Sequence, residues 1–348
     1  MKKLLCLSCL CLPALALSSL PTATRGEEKK AEHKPFGTIE RKDPRFDKLI
    51  APTAKAMEDL AHGFDWSEGP VWVNKDGGYL LCSDIPKNQI VKWQEGKGKS
   101  VFLHPSGYTG KDTDLKEPGS NGLLLDSEGR IVMMQHGDRC VARLEKDGKT
   151  ITKLVEKYKG TRLNSPNDGV FLKNGDLYFT DPPYGLMRKD KEGFPGQDLD
   201  FQGIYRLTPK GELTLLSKEM TKPNGIAFSP DEKTLYVANS DPKIAVWMKF
   251  PVKEDGTLGA GKVFFDSTAS VGKLKGLPDG MKVDKDGNLW ATGPGGVLVF
   301  APDGTHLGTL LTNVPTSNCN WGNDGSVLYI TADKNLIRIK TLTKGKGF

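Results

Sequence analysis

A short step, an acidic or amide residue followed by glycine, recurs along this chain just ahead of strand-like stretches. It reads Glu68-Gly69-Pro70, Asn121-Gly122, Asn167-Asp168-Gly169, Asn224-Gly225 and Asp279-Gly280. Each step is followed by an apolar stretch, a polar turn and a second apolar stretch, as in Val71-Trp72-Val73, Asn74-Lys75-Asp76-Gly77-Gly78 and Tyr79-Leu80-Leu81-Cys82. A sixth unit opens at Asn318 and runs through Asn323-Asp324-Gly325 to Val327–Thr331. The step residues Glu68, Asn121, Asp168, Asn224, Asp279 and Asn318 are separated by 53, 47, 56, 55 and 39 positions. That is near the period of a four-stranded propeller blade. No segment carries helical periodicity of useful length, so the expected class is all-β, a six-bladed β-propeller in which every blade offers its first strand to a central channel. Residues 56–63 are expected to add a strand to the last blade and close the ring. A β-sandwich would leave the recurring step without a cause.

The N-terminus reads as an export signal over residues 1–25. Lys2 and Lys3 precede an apolar run from Leu4 to Leu17, and Ala14-Leu15-Ala16 offers a small-residue cleavage site. The run is too short for a stable membrane span. A secreted or periplasmic address follows, with no integral membrane segment in the mature chain. Residues 26–55 are polar and charged and are expected to lead into the domain as a poorly ordered segment. The propeller is expected over 56–343, with 344–348 as a short tail. Without Lys2, Lys3 and Arg25 the chain holds 46 basic and 43 acidic residues. The charges are interspersed, which argues against a nucleic-acid partner. Cys6, Cys9 and Cys11 lie in the signal, which leaves the widely spaced Cys82, Cys140 and Cys319 and no zinc pattern. A monomer is expected.

If the blades stack in register, the step side chains converge. Glu68, Asn167, Asn224 and Asp279 form an oxygen-only donor set suited to a hard divalent cation. The two carboxylates balance a doubly charged ion, and Ca²⁺ tolerates a loose shell completed by water best. Mg²⁺, Mn²⁺ and Zn²⁺ are the other candidates. Asn-Gly and Asp-Gly are ordinary turn dipeptides taken singly. Here each precedes the innermost strand, and separate turns occur later in the same unit. Around this site Asn121, His136, Asn167, Asp168, Asp181 and Tyr184 are the candidates for touching a substrate. Asp181-Pro182-Pro183-Tyr184-Gly185 forms a stiff loop after a strand, although a lone histidine such as His136 is more often structural. There is no GxSxG elbow, no HExxH and no phosphate-binding glycine loop.

Several motifs together resemble the gluconolactonase family, which includes regucalcin (senescence marker protein) and luciferin-regenerating enzyme. They are Phe64-Asp65-Trp66-Ser67-Glu68-Gly69-Pro70-Val71-Trp72, Ser83-Asp84-Ile85-Pro86, Asn164-Ser165-Pro166-Asn167-Asp168-Gly169, Phe179-Thr180-Asp181-Pro182-Pro183-Tyr184-Gly185, Pro223-Asn224-Gly225-Ile226-Ala227 and Pro278-Asp279-Gly280. The resemblance runs from about residue 40 to 340. It implies a six-bladed propeller with a divalent metal in the channel, with Glu68, Asn224 and Asp279 as ligands and Asn167 binding metal or substrate. It also implies Asp279 as general base. Ser165 stands where the regucalcin branch has a substrate-contacting arginine, which brings the chain closer to the bacterial gluconolactonase branch.

The expected activity is hydrolysis of sugar lactones by a metal-polarised attack of water, with Asp279 taking the proton. Two other readings use the same site. One is a metal-dependent esterase or phosphotriesterase, because pocket walls differ between related propellers. The other is a non-catalytic propeller that binds a sugar or a protein around a structural ion.

Overall fold

In the computed structural model of this chain, Met1 and residues 33–348 are described, so the expected signal over residues 1–25 lies, Met1 aside, outside the described part. Six sheets of four or five strands follow one another along the described chain, with a separate two-stranded ribbon formed by Lys157–Tyr158 and Thr161–Arg162. Blade 1 contains Ser67–Val73, Tyr79–Asp84, Gln89–Gln94 and Gly98–Leu103, and blade 2 contains Ser120–Leu125, Ile131–Gln135, Cys140–Leu144 and Ile151–Val155. Blade 3 contains Gly169–Phe171, Leu177–Asp181, Gly203–Leu207 and Leu213–Ser217, and blade 4 contains Pro223–Phe228, Thr234–Asp241, Ile244–Pro251 and Lys262–Asp266. Blade 5 opens with Met281–Val283, Leu289–Gly293, Gly296–Phe300 and His306–Leu311, and blade 6 with Thr316–Gly322, Val327–Ala332 and Asn335–Lys340. Within every blade neighbouring strands are antiparallel. The protein is a six-bladed β-propeller.

The ring closes as expected. Met57–His62 pairs antiparallel with Asn335–Lys340, so the last blade takes its fourth strand from the N-terminal side of the chain. The reading of residues 26–55 as a poorly ordered lead-in is corrected from residue 33 onward. Lys34–Phe36 pairs with Met57–His62, and Thr38–Arg41 pairs with His306–Leu311. This stretch thus covers the outer edges of blades 6 and 5, where unpaired backbone groups would otherwise face water. A 3-10 helix over Pro44–Lys48, capped by Asp43, then buries Phe46, and Ile50 is buried just after it. The local polarity of the segment hides this anchoring: Phe36, Ile39, Phe46, Leu49 and Ile50 are spread thinly among charged residues.

The apolar runs in the second strand of each unit have a common cause. A blade is covered on both faces, so successive side chains enter different layers. Leu81 packs with Met133 between blades 1 and 2, while Leu80 packs with Tyr329 between blades 1 and 6. Corresponding clusters lie between blades 2 and 3, 3 and 4, 4 and 5, and 5 and 6. The ring is therefore six apolar wedges, and the tryptophans Trp93, Trp247, Trp290 and Trp321 are buried within them. Cys82, Cys140 and Cys319 are buried free thiols in these layers.

Candidate metal and substrate site

The recurring step is a β-bulge. In blade 3 the N–H of Asn167 donates to the carbonyl of Thr180 (2.9 Å), and the N–H of Thr180 donates to the carbonyl of Asp168 (3.0 Å). Two residues thus oppose one, the arrangement that bends a strand and re-aims its side chains. Blade 5 repeats it with Asp279 and Gly280 opposite Thr292 (3.0 and 2.9 Å). The innermost strands of blades 1, 2, 4 and 6 show register shifts at Glu68/Val71, Ser120/Leu123, Pro223/Ile226 and Thr316/Asn318.

The glycines of the step answer to the neighbouring blade. A Cβ on Gly225 would stand 2.1 Å from the carbonyl oxygen of Asp279, and one on Gly280 would stand 2.0 Å from Cγ of Asn318. Only a residue without a side chain lets one bulge nest against the next. Hydroxyls complete the nesting: Ser83 donates to the Asn121 carbonyl (2.8 Å), Thr180 to that of Asn224 (2.7 Å) and Thr292 to that of Ser317 (2.9 Å).

Glu68, Asn121, Asn167, Asn224 and Asp279 consequently line one cavity of about 600 Å³. Tyr184 joins them on the wall, with its hydroxyl donating to the Ser240 carbonyl (3.2 Å). Several polar atoms of the residues that line this space are under-partnered. Asn121 Oδ1, Asn167 Oδ1 and Asp279 Oδ1 are buried and accept no hydrogen bond. Uncompensated buried oxygens are costly, and three of them around one cavity with Glu68 fit the shell of a hard cation. Among the described residues no group of three or more His, Cys, Asp or Glu side chains could hold a metal, so the fit depends on the amides.

Electrostatics point the same way. Burial pushes Glu68 up to about 8, reinforced by the Asp168 charge and opposed by the Gly69 N–H and the Asn318 amide. Asp279 lies well above the ordinary carboxylate range, first through burial and then through the charges of Glu68, Asp168 and Glu117. Burial raises Asp168 as well, against the opposing pull of Lys282, whose Nζ is 4.0 Å from Asp168 Oδ2. Carboxylates forced together in a desolvated space hold protons unless positive charge joins them.

A family model described as the SMP-30/Gluconolactonase/LRE-like region matches residues 66–334. The chain belongs to this family. It is 39% identical to the gluconolactonase of Zymomonas mobilis, over 98% of this chain and 97% of that protein. Among solved structures, a gluconolactonase of Xanthomonas campestris superposes with a TM-score of 0.77 at 31% identity, covering 90% of this chain and 98% of that one. A regucalcin of Agrobacterium tumefaciens, described as a calcium-binding protein, shares the fold at a TM-score of 0.61 and 21% identity, over 83% and 94% of the two chains.

Three residues expected to touch substrate in this gluconolactonase-family protein do not line the cavity. Asp168 is tied to its own strand, accepting from the Gly169 N–H (2.8 Å), and accepts from Asn318 Nδ2 at 3.4 Å. Asp181, pushed up by burial to about 7, accepts from the Asn164 N–H (2.8 Å) and so anchors the segment that presents Asn167. His136 is fully buried behind Gly185, with Nδ1 3.3 Å from Glu117 Oε2. Ser165, at the position where the regucalcin branch has arginine, is equally internal. Its hydroxyl donates to the Pro182 carbonyl (2.5 Å) and accepts from the Gly185 N–H (3.0 Å), locking the Tyr184 loop. Sequence reasoning missed Glu117, Lys222 and Trp66 on the cavity wall. It also left Asn318 out of the site, although that residue opens the sixth unit of the same repeat.

Proposed function

We propose that this protein is an exported, divalent-metal-dependent lactone hydrolase acting on sugar lactones of the glucono-1,5-lactone type. The reading is supported most directly by the three unpartnered oxygens of Asn121, Asn167 and Asp279, residues that line one cavity together with Glu68. The gluconolactonases of Zymomonas mobilis and Xanthomonas campestris, similar along nearly their whole length, support the reaction class. Export rests on Lys2, Lys3 and the apolar run from Leu4 to Leu17.

Glu68, Asn167, Asn224 and Asp279 would hold the cation, with Ca²⁺ favoured by the neutral amide oxygens and the regucalcin described as calcium-binding. When bound, the ion supplies Lewis-acid polarisation of the lactone carbonyl. The remaining steps belong to the protein. Asp279 accepts a proton from the attacking water as the new C–O bond forms. The same proton then passes to the ring oxygen as the endocyclic C–O bond breaks, so the product is an open-chain hydroxy acid. Asn121 and Tyr184 orient the ring from the wall.

A metal-by-substrate matrix on chelated and refilled protein tests the proposal. Turnover of glucono-1,5-lactone should vanish with chelator and return with one divalent ion. Undiminished turnover after complete chelation would refute the metal role. Absence of any lactone or ester turnover with every ion would leave a binding protein.

A further inference from the structure

The lining of the cavity is chemically mixed. The carboxylate and amide side chains at the steps of the innermost strands form its polar floor. Another part of the lining, Met187, Pro242, Val271, Leu274, Leu277 and Pro315, carries no side-chain N–H or O–H. Polyhydroxylated lactones need a partner for each hydroxyl they bring out of water; Trp66, Glu117, Tyr184, Lys222, Ser240 and Thr316 can serve them, whereas these six residues cannot. A volume of about 600 Å³ lies within the range of roughly 300–1,000 Å³ that encloses drug-sized ligands. A hexose-sized lactone on the floor would leave much of it open.

The apolar wall is built into the fold. Val271, Leu274 and Leu277 lie on the connection between Lys262–Asp266 and Met281–Val283. A 3-10 helix over Thr268–Ser270 starts this connection, and the N–H groups of Lys273 and Leu274 both donate to the Ser270 carbonyl (3.1 and 3.0 Å). The Lys275 carbonyl then accepts from the Gly295 N–H of blade 5 (2.8 Å). The side chains are therefore presented by a tied loop, and Leu274 stands 48% exposed at the cavity wall, next to Val271 through a backbone bridge. A ligand that covers this apolar stretch removes the half-exposed leucine and its neighbours from water, which is favourable.

We propose that the site accepts, alongside sugar lactones, lactones whose ring carries an apolar chain, and that the wall of Val271, Leu274 and Leu277 binds the chain. The inference rests on the lactone-hydrolase reading above and names a second substrate class for it. The lactone carbonyl occupies the polar floor, and an alkyl or aryl substituent on the carbon bearing the ring oxygen lies along the wall. Hydrolysis is the same reaction: water adds, the endocyclic C–O bond breaks, and its proton ends on the released hydroxyl.

The test compares glucono-1,5-lactone, unsubstituted δ-valerolactone and a series of δ-lactones with lengthening alkyl chains, all below their aggregation concentrations, on metal-loaded protein. kcat/KM is expected to rise about fourfold per methylene added over the first few carbons, chiefly through KM. The Leu274→Ser/Leu277→Ser double variant should flatten that slope, read as the ratio of alkyl-lactone to glucono-1,5-lactone kcat/KM, with its folding checked by thermal unfolding. A flat or falling series, with glucono-1,5-lactone hydrolysed, overturns the inference and leaves the lactonase reading standing. An unchanged slope in the variant overturns the assignment to this wall. If no lactone is hydrolysed, the lactonase reading falls and carries the inference with it.

Discussion

Asn318 Nδ2 lies 3.1 Å from Glu68 Oε2 and 3.4 Å from Asp168 Oδ2, so one amide spans two buried carboxylates that are 250 and 150 residues away in sequence. The other half of that amide accepts from the N–H of Cys319 (2.9 Å), which fixes its orientation. With the Gly69 N–H also donating to Glu68 Oε2, one carboxylate oxygen is occupied and Oε1 is left for the cavity. Asn318 thus holds Glu68 in the posture that a cation would meet.

Replacing Asn318 by Ala should weaken divalent-ion affinity about 10–100-fold, the usual cost of losing a group that orients a ligand. At pH 8 it should also cost about 1–3 kcal/mol of stability by taking one donor from Glu68 Oε2 and one from Asp168 Oδ2. Gly280→Ala should have a similar effect on affinity with every charge intact, because its Cβ would meet Asn318 at 2.0 Å. Calorimetric titration of the chelated protein with Ca²⁺ measures both, and an unaltered affinity in N318A contradicts the role given to this amide.

Asp279→Asn should lower kcat/KM for glucono-1,5-lactone by at least about 10²-fold, the low end of general-base contributions. The same change should stabilise the chelated protein at pH 8, because it removes a carboxyl that burial and the neighbouring charges of Glu68, Asp168 and Glu117 hold well above its ordinary range. Steady-state kinetics and thermal unfolding in chelator read the two effects. Wild-type turnover in this variant would end the assignment of Asp279 as base.

The buried carboxylates set a pH dependence with a definite sign. Glu68 starts from 4.5 when unfolded and is pushed up to about 8 when folded, so between these values the native state binds more protons than the unfolded state. The chelated protein should therefore lose stability as pH rises from about 5 to 8. A bound cation favours the ionised carboxylates, so Ca²⁺ affinity should tighten across the same interval with proton release. Unfolding midpoints in chelator at pH 5.5 and 8.5, and titrations in buffers of different ionisation enthalpy, check the two halves. A chelated protein more stable at pH 8.5 than at 5.5 would count against this carboxylate cluster.

Truncation separates the outer strands from whatever precedes them. A chain beginning at residue 33 should keep full stability, whereas one beginning at 56 should lose several kcal/mol and associate through bared strand edges. Phe46→Ala alone should cost about 3–5 kcal/mol, since the ring is fully buried between blades 5 and 6. Denaturant unfolding and sedimentation measure these losses. Equal stability of the two truncations would mean that the segment is only an adornment.

The propeller was legible because its repeat is chemical as well as periodic. Gly225 and Gly280 recur because each bulge needs its neighbour's glycine, and runs such as Leu80-Leu81 recur because blades are covered on both faces. The convergence of Glu68, Asn167, Asn224 and Asp279 on one cavity was readable for the same reason. His136 and Asp181 were not readable as buried supports: a side chain after a strand looks the same in sequence whether it faces the channel or the layer behind it. Glu117 and Lys222 escaped notice because nothing in the repeat distinguishes a wall residue from any other loop charge. Asn318 was within reach, since it occupies the sixth position of the same step.

The number of blades, the step that opens each one and the oxygen chemistry of the channel were determined by sequence alone, since local bulge geometry and two-faced burial act on residues close together in the chain. Tertiary structure decided which oxygens remain without partners, which carboxylates share one desolvated space, and where residues 34–41 seat on the ring. Those outcomes depend on contacts such as Asn318 with Glu68 or Thr38–Arg41 with His306–Leu311. They form only when distant segments close around a common axis, and no pattern within either segment encodes the distance between them.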